Sequence, residues 1–306
     1  MITRQSIDQL NRGFGIDGVV AFEADKGNLT RIVITAQDAV AHVCTLGAHV
    51  THWQPKDHEP VLWLSGKSWF KPDKPIRGGV PVCLPWFNVK PDEPDAPRHG
   101  LARTMTWQAV NARHNDDDSA SVTLELQSDD DTSAVWPHPF TFRHQITAGE
   151  ELTMSLTVSN SGDRPFVFTE ALHSYFNVAD VRKATVTGLE SAPYINTVGG
   201  KARQEAGDPH PIAFTGETDR IYTGTGSTCV LHDPVLRRQI AIQKSGSNST
   251  VVWNPWIAKA SAMEDFGDDE WPGMLCIETA NIADDAVTLA PLASHTMTAG
   301  IRTILR

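Results

Sequence analysis

The feature that most constrains the fold of this chain is a repeated alternation of apolar and polar residues with a period of two. Residues 151–158 read Glu-Leu-Thr-Met-Ser-Leu-Thr-Val, so that every second side chain is apolar. Successive side chains of a β-strand point to opposite faces, and this pattern therefore predicts a strand with one buried face. Similar short stretches predict further strands at residues 31–34, 121–126, 184–187, 228–231, 239–242 and 250–253.

The residues between these stretches favour an all-β chain. The sequence holds 22 glycines and 19 prolines, which are typical of the turns that join short strands. No helical pattern of about 10 to 15 residues alternates with the strands, which argues against a parallel sheet with helical crossovers. The stretches at 111–120 and 196–211 are polar and are predicted to form long loops. No low-complexity linker divides the chain into two halves.

The predicted fold class is therefore all-β, with a single domain over residues 1–306 that forms a large sandwich of two antiparallel sheets. About the first 35 residues are expected to be partly peripheral. Acidic clusters at residues 116–118 and 129–131 are interpreted as solvated loops. They lack the ligand spacing and the glycine of a calcium-binding loop.

The charge balance limits the partners of the chain. Against 37 acidic residues there are 26 lysines and arginines, which gives a formal net charge of −11. This balance argues against nucleic acids and anionic membranes as partners. No apolar run approaches the roughly 18 residues that a membrane span requires. We expect the partner to be a small molecule, which a local arginine cluster could bind even if it is anionic. The chain is expected to be a monomer.

The cysteines and the amino terminus favour a cytoplasmic protein. Residues 1–5 lack the apolar run of a secretory leader. The cysteines lie far apart in the sequence, so no CxxC pair predicts zinc or dithiol chemistry. We therefore expect reduced thiols in the cytoplasm. The four cysteines are Cys44, Cys83, Cys229 and Cys276.

Neither a metal nor an organic cofactor is expected. The phosphate-binding pattern GxxxxGK[ST] is absent from the sequence. His49 and His52 are three residues apart, a spacing that converges on a helix and diverges on a strand. Because their surroundings have the pattern of a strand, we interpret both as residues that bind no metal.

A first candidate functional stretch covers residues 76–87 and continues at 98–103. Its paired glycines and two prolines fix the backbone in a way that free loops rarely need. Trp86 and Phe87 offer flat apolar faces, although both could equally be core residues. Aromatic faces beside polar donors suit a sugar. The donors in this stretch are Arg77, His99 and Arg103.

A second candidate stretch follows Phe166. On an extended strand His173 and Tyr175 share one face, whereas Phe166 and Phe168 take the other. Glu170 falls on the apolar face by this count, which a β-bulge nearby would resolve. A histidine on a strand is more often structural than catalytic, and this segment alone leaves both roles open for His173.

A third candidate stretch, residues 273–280, is an apolar run interrupted by Glu278. Glutamate is seldom fully buried without a partner. Glu278 could pair with a buried arginine for structural reasons, or it could be a base held in a sheltered pocket. The segment alone leaves both interpretations open.

Taken together, these segments resemble the aldose 1-epimerase superfamily, in particular its bacterial hexose-6-phosphate mutarotase branch. The matching segments appear in the order of the family and span most of the chain. Each is weakly specific alone, and seven in order are specific. They are IRGGVP at 76–81, PWF at 85–87, HGLAR at 99–103, LHSYFNV at 172–178, TDRIY at 218–222, WNP at 253–255 and CIETA at 276–280.

The resemblance implies a galactose mutarotase-like β-supersandwich with a sugar cleft and no cofactor. The catalytic histidine and glutamate of the family fall on His173 and Glu278. One departure is Asn88, where the family commonly has glycine. Asparagine tolerates left-handed backbone angles, so the turn is expected to survive before an acidic, proline-rich loop that runs to residue 98. The implied substrate contacts are Arg77, His99, Arg103 and Asp219, with Trp86 added as the aromatic face.

The function expected from this resemblance is an isomerase that interconverts the α and β anomers of a hexose 6-phosphate. Glu278 would remove the C1 hydroxyl proton and His173 would protonate the ring oxygen, while Arg77 and Arg103 hold the phosphate. Alternatives are an aldose 1-epimerase for free hexoses, a non-catalytic carbohydrate-binding protein and a glycoside hydrolase. A hydrolase would need a second carboxylate, which Glu170 or Asp219 could supply.

Overall fold

A computed structural model of the chain describes residues 5–90 and 93–305. Residues 1–4, on which the absence of a leader was judged, and residues 91 and 92 of the acidic loop lie outside the described residues. The helices within the described ranges are short: α1 Ile7–Phe14, α2 Asp130–Val135 and α3 Trp256–Ser261, with 3₁₀ turns at Lys26–Asn28, Ala102–Thr104, Val198–Gly200, Trp271–Gly273 and Ala283–Asp285.

Strands account for most of the remaining regular structure. In chain order they are β1 Val20–Ala24, β2 Thr30–Thr35, β3 Ala39–Cys44, β4 His49–Pro55, β5 Val82–Cys83, β6 Gln108–His114, β7 Ala120–Gln127, β8 Phe140–Ala148, β9 Glu151–Asn160, β10 Phe166–Phe168, β11 Glu170–Leu172 and β12 Tyr175–Asn177. They continue as β13 Thr185–Thr187, β14 Tyr194–Asn196, β15 Arg203–Glu205, β16 Ile212–Ala213, β17 Thr218–Tyr222, β18 Cys229–Asp233, β19 Arg238–Ser245, β20 Ser249–Asn254, β21 Met274–Asn281, β22 Val287–Leu289 and β23 Ser294–Leu305.

Two large sheets dominate the molecule. One has nine strands in the order β16-β13-β18-β19-β23-β9-β8-β7-β6. The other has eight, in the order β15-β14-β17-β20-β21-β11-β5, with β12 also paired to β21. Strands β1 to β4 form a third sheet, and β10 pairs with β22. Neighbouring strands in these sheets are antiparallel, so the predicted all-β antiparallel class is confirmed.

The alternation that predicted the fold separates an inner from an outer face of the nine-stranded sheet. In β9 the apolar residues Leu152, Met154, Leu156 and Val158 are fully buried. The opposite face carries hydroxyl pairs between β9 and β23, such as Ser155 with Thr298 at 3.0 Å. Burying one large aliphatic side chain contributes roughly 1.5–3 kcal/mol, so a strand of this kind is held mainly by its inner face.

The three larger sheets pack on one hydrophobic core. Strand β21 of the eight-stranded sheet contacts β23, and β2 and β3 of the four-stranded sheet contact β7 and β8. Buried residues from all three sheets form one continuous cluster, including Trp53, Phe142 and Ile277. The nine-stranded sheet therefore packs against the eight-stranded sheet and supports the candidate site that the latter carries.

Three regions expected to be loops contain regular structure. Residues 111–114 continue β6, and a tight turn closes the hairpin, in which Asn115 N donates to Ser119 O at 2.8 Å. Asp129 is not simply a solvated residue, because its side chain accepts a hydrogen bond from Thr132 N and caps α2. Acidic residues are favoured at this position since they satisfy free N–H groups of the first turn. The 196–211 region contains β15.

Three further observations bear on the class of protein. None of the helices in the described part of the chain is long and apolar enough to cross a membrane. The four cysteines are buried and form no disulfide. A GxGxxG match at residues 13–18 lies at the end of α1 and not between a strand and a helix, so it lacks the context of a dinucleotide-binding turn.

Candidate active site

The strand register carries one row of side chains across four strands of the eight-stranded sheet. Residues paired in an antiparallel ladder lie on the same face, and so do residues two apart on a strand. The row consists of Asp219, Trp253, Cys276 and Tyr175. Glu278 lies two residues after Cys276 in the chain, and His173 lies two residues before Tyr175.

His173 and Glu278 are in direct contact at the end of this row. His173 Nε2 lies 3.2 Å from Glu278 Oε1, and the two side chains are 10% and 1% exposed. The other carboxylate oxygen, Oε2, is buried and has no hydrogen-bond partner among the described residues. A buried oxygen without a partner is costly, so Oε2 is a prepared acceptor for a ligand hydroxyl.

The charges around the pair favour its uncharged form. Burial, and then the charge of Asp219, raise the pKa of Glu278 well above its ordinary value. Burial, followed by the positive charges of Arg77 and Arg103, lowers the pKa of His173. Both shifts place the shared proton on the carboxyl group, which then donates a hydrogen bond to the neutral imidazole.

Aromatic rings hold His173 in place. Its ring stacks on Tyr175 with centroids 4.8 Å apart and planes at 12°. Tyr175 in turn stacks on Trp63 at 5.7 Å, and the edge of Trp253 approaches His173 at 6.1 Å. The backbone N–H of His173 also donates to Pro81 O at 3.0 Å. The orientation of the imidazole is therefore set before any ligand binds.

The double glycine after Arg77 is required by close packing. Gly78 and Gly79 have positive φ angles of 109° and 60°. A Cβ atom at Gly78 would lie 2.5 Å from one backbone oxygen, and one at Gly79 would lie 2.2 Å from another. His49 donates a hydrogen bond from Nε2 to Gly78 O at 2.7 Å. The segment that carries Arg77 is thus fixed by neighbours on both sides.

The two candidate phosphate-binding arginines differ in their partners. Arg77 donates from Nε to Asp265 Oδ2 at 3.2 Å, its Nη2 lies 3.1 Å from the same oxygen, and its Nη1 donates to the Tyr175 hydroxyl at 3.0 Å. Arg103 donates to Arg98 O at 2.6 Å. No carboxylate of residues 5–90 and 93–305 lies within 4.0 Å of Arg103. Among the described residues, Arg103 is therefore the candidate phosphate-binding guanidinium without a paired carboxylate.

His99 lies beside His173 and has one ring nitrogen available as a hydrogen-bond donor. The backbone N–H of Asn88 donates to His99 Nδ1 at 3.2 Å, so in the neutral ring the proton lies on Nε2. Burial and the nearby Arg103 keep the pKa of His99 well below its usual value. Its ring lies 5.8 Å from that of His173. Asn88 has a φ of 63°, which confirms that the turn survives the departure from glycine.

Trp86 and Asp219 occupy different surroundings. Trp86 is only 5% exposed, and its Nε1 donates to Pro97 O at 2.8 Å, so it holds the loop that follows it. The ring contacts of His173 within the described residues do not include Trp86. Asp219 lies in the row beside Trp253 and pairs with Lys259 at 3.5 Å.

Glu170 faces away from the candidate site. It is fully buried, and its Oε1 accepts a hydrogen bond from Asn281 at 2.8 Å and lies 3.1 Å from His295 Nε2. His295 belongs to the nine-stranded sheet and lies beside Phe168. Glu170 can stay on the apolar face of its strand because His295 and Asn281 provide contacts for its carboxylate there. It is therefore not a second carboxylate beside Glu278.

Sequence reasoning missed the roles of several residues at this site. Tyr175 shared the face of His173 in the strand count, which was the signal for its contact. Asp265 lies in an irregular segment, where no pattern predicts its contact with Arg77. Cys276 was seen only as a free thiol. Its Sγ lies with ligand atoms of His173 and Glu278 within a span of 4.8 Å, a set that could hold a metal ion. Burial raises the pKa of the thiol well above its usual range, which disfavours the thiolate form that a metal would need.

Known proteins are similar to this chain in both sequence and fold. A family model described as aldose 1-epimerase matches residues 30–302. A protein of Cenchrus ciliaris named "Putative glucose-6-phosphate 1-epimerase" is 37% identical over 273 residues, which are 86% of this chain and 81% of that protein. A protein of the same name from Escherichia coli K12 is 36% identical, covering 82% of this chain and 83% of its own. The crystal structure titled a "putative mutarotase" from Salmonella typhimurium has a TM-score of 0.88 and 31% identity, covering 96% of each chain.

Proposed function

Because the chain belongs to the aldose 1-epimerase family, we propose that this isomerase interconverts the α and β anomers of a hexose 6-phosphate, with glucose 6-phosphate as the first substrate to test. The observation that carries this function is the contact of 3.2 Å between His173 and Glu278 beside two arginines. The relatives named for glucose 6-phosphate support the choice of sugar.

The separation of the pair suits anomer exchange. The C1 hydroxyl and the ring oxygen are bonded to the same carbon, so an acid and a base that serve them must lie close together. A glycosidase instead needs two carboxyl groups about 5–9.5 Å apart, with space between them for the sugar and, in inverting enzymes, a water. A histidine and a glutamate within one hydrogen bond of each other therefore favour ring opening over hydrolysis.

Ring opening begins when the Glu278 carboxylate takes the C1 hydroxyl proton through Oε2. The bond between C1 and the ring oxygen breaks as C1 becomes a carbonyl carbon, and His173 donates its proton to the departing oxygen. After rotation about C1–C2 the C5 hydroxyl attacks the other carbonyl face, with His173 taking its proton and Glu278 returning one. Proton and electron counts balance over the cycle. General acid–base help of this kind contributes roughly 10²–10⁴-fold.

The remaining residues bind and orient the sugar. His99 donates from Nε2 to a sugar oxygen, and Asp219 accepts from a hydroxyl on the other side. Arg77 and Arg103 bind the 6-phosphate through charge-assisted hydrogen bonds. We assign Trp86 to shaping the wall of the cleft, given its bond to Pro97. The unpaired cysteines fit a reducing compartment such as the cytoplasm.

The test is two-dimensional exchange NMR on glucose 6-phosphate, with free glucose and galactose as parallel samples. Faster exchange of the phosphate ester than of either free sugar is the expected result. If only the free sugars exchanged faster, the protein would still be an anomerase, but the proposed phosphate-binding site would be contradicted. With folded protein, unchanged exchange of all three sugars would contradict the proposed function.

The arginines provide a sharper test of substrate class. In Arg103→Ala we expect KM for glucose 6-phosphate to rise about 10- to 100-fold, since a charge-assisted hydrogen bond is worth roughly 1.5–3 kcal/mol. Arg77→Ala should have a smaller effect on KM, because Asp265 already neutralises Arg77. Steady-state kinetics on both sugars would check this. Arg143→Ala, a surface arginine paired with Glu125, is the matched control. Equal losses on the phosphorylated and the free sugar would contradict the assignment.

A further inference from the structure

Tyr175 joins a candidate phosphate-binding residue to the candidate acid. Its hydroxyl accepts a hydrogen bond from Arg77 Nη1 at 3.0 Å, and its ring stacks on His173 with centroids 4.8 Å apart. It is 1% exposed, with Trp63 stacked against it at 5.7 Å. A change at Arg77 therefore reaches His173 through one immobilised side chain, with little water between them to screen it.

Opposite charges flank the two ends of the His173–Glu278 pair. The positive charges of Arg77 and Arg103 lower the pKa of His173 in addition to the effect of burial. The negative charge of Asp219 raises the pKa of Glu278. Cations beside the imidazole and an anion beside the carboxyl group both oppose the separated ion pair. Ring opening nevertheless needs that ion pair, because the carboxylate is the base and the imidazolium is the acid.

We propose that a phosphate dianion held by Arg77 and Arg103 activates the His173–Glu278 pair as well as anchoring the substrate, with Tyr175 as the positioning residue that couples the two sites. This role rests on the proposed function, and it adds that the phosphoryl group increases turnover and not only affinity. The activator is defined by its chemistry, a tetrahedral oxyanion that carries two negative charges.

The physical basis is the compensation of charge at the imidazole end of the pair. A dianion on the guanidinium groups offsets their charge, which removes the main electrostatic opposition to a protonated His173. The proton that Glu278 shares with His173 then moves to the imidazole, and the base and the acid exist together. A free hexose lacks the dianion and meets the uncharged pair. In this way the binding energy of the phosphoryl group, which does not react, lowers the free-energy barrier of ring opening.

The experiment separates the sugar from its phosphate. Free α-glucose is followed by polarimetry with increasing phosphite dianion, and the same mixtures with Glu278→Gln protein give the blank for buffer catalysis. We expect phosphite to raise kcat/KM for glucose saturably by about tenfold or more. Arg103→Ala should abolish the increase. Phosphite that inhibits glucose turnover, or leaves it unchanged, would overturn the activation.

Tyr175→Phe tests the coupling because it keeps the stacked ring and removes only the hydroxyl that meets Arg77. We expect a smaller phosphite effect and a lower kcat for glucose 6-phosphate, with KM changed less. The matched control is Tyr194→Phe, whose ring faces Arg220 at 4.8 Å on β14 and makes no described contact with His173 or Glu278. Full phosphite activation in Tyr175→Phe would remove Tyr175 from the coupling.

A direct readout is the ¹⁵N NMR spectrum of histidine-labelled protein, with the His173 signals assigned by their loss in His173→Asn. Phosphite should shift these signals toward the imidazolium position, and no shift would contradict the inference. The two levels of proposal remain distinguishable. Exchange of glucose 6-phosphate without activation by phosphite would leave the anomerase function intact, whereas absent exchange of glucose 6-phosphate would remove the function itself.

Discussion

The described residues contain two histidine–glutamate pairs of nearly equal separation, each with a buried glutamate. His173 Nε2 lies 3.2 Å from Glu278, and His295 Nε2 lies 3.1 Å from Glu170. Both glutamates lie in the eight-stranded sheet, on the adjacent strands β11 and β21. One pair faces the row of candidate site residues, and the other reaches the nine-stranded sheet, to which His295 belongs.

The surroundings shift the pKa values of the two histidines in opposite directions, although burial raises the pKa of both glutamates. The hydrogen bond to Glu170 raises the pKa of His295, whereas burial and two guanidinium charges lower the pKa of His173. Glu170 Oε1 also accepts from Asn281, and His295 lies 3.0 Å from Gly246 O. Within residues 5–90 and 93–305, Glu278 has no such additional partner.

The pair at His295 therefore has the surroundings of a cross-link between sheets, and the pair at His173 has those of a reactive group held away from its charged form. The separations are almost the same, whereas the His173 side chain is 10% exposed and that of His295 is 24% exposed. Deeper burial and the neighbouring charges together distinguish the two histidines, which is the general reason that strongly perturbed groups mark candidate functional sites only when their causes are named.

The largest effect is expected from Glu278→Gln. Glutamine cannot take the C1 hydroxyl proton, so kcat for glucose 6-phosphate should fall by about 10²–10⁴-fold. The free energy of unfolding should change little, because the surroundings already favour the uncharged carboxyl form. Exchange NMR together with urea denaturation measures both quantities. Full activity in this variant would contradict the assigned base.

The reverse outcome is expected for Glu170→Gln. The free energy of unfolding should fall by roughly 1–3 kcal/mol, because a buried charge-assisted contact between two sheets is weakened. The rate of anomer exchange should remain near that of the unaltered protein, since Glu170 faces away from the site. A large loss of kcat with unchanged stability would show that the two pairs had been assigned the wrong way round.

The fold could be predicted because its signal is local and repeated. The period of two in residues 151–158 requires only that alternate side chains be buried, and the long β9 strand obeys it. The capped helix at Asp129 was missed because three adjacent acidic residues are typical of a loop as well as of a first helical turn. Short elements of this kind depend on single hydrogen bonds that composition does not reveal.

The candidate site was only partly predictable, for a different reason. His173 and Glu278 stood out because each is a polar residue in an apolar strand, and the resemblance to a family gave them roles. No local pattern predicts that Asp265 neutralises Arg77 or that no described carboxylate pairs with Arg103. Such contacts join segments far apart in the chain, and they decide which of two similar residues carries free charge.

The smallest expected effect, and the one that separates the pairs without loss of a catalytic group, is their response to pH. For Glu170 and His295 the folded pKa values are raised, so the folded state binds more protons than the unfolded state. The contribution of His295 is complete below its unfolded value of about 6.5 and is lost as pH rises through the higher folded value. The free energy of unfolding should therefore decline on the alkaline side of about pH 6.5 in the unaltered protein, and decline less in Glu170→Gln.

The pair at His173 should show the converse behaviour. The lowered pKa means that His173 of the ligand-free protein takes up no additional proton near pH 6.5, so kcat/KM for free glucose should stay flat from about pH 7.5 down to about 5. Free glucose is the substrate here because the phosphate of glucose 6-phosphate titrates near pH 6 and would itself change the activation. Urea denaturation and kcat/KM profiles on the same buffers test both halves. A fall in kcat/KM around pH 6.5 that Glu170→Gln abolishes would tie activity to the wrong pair and contradict the distinction between them.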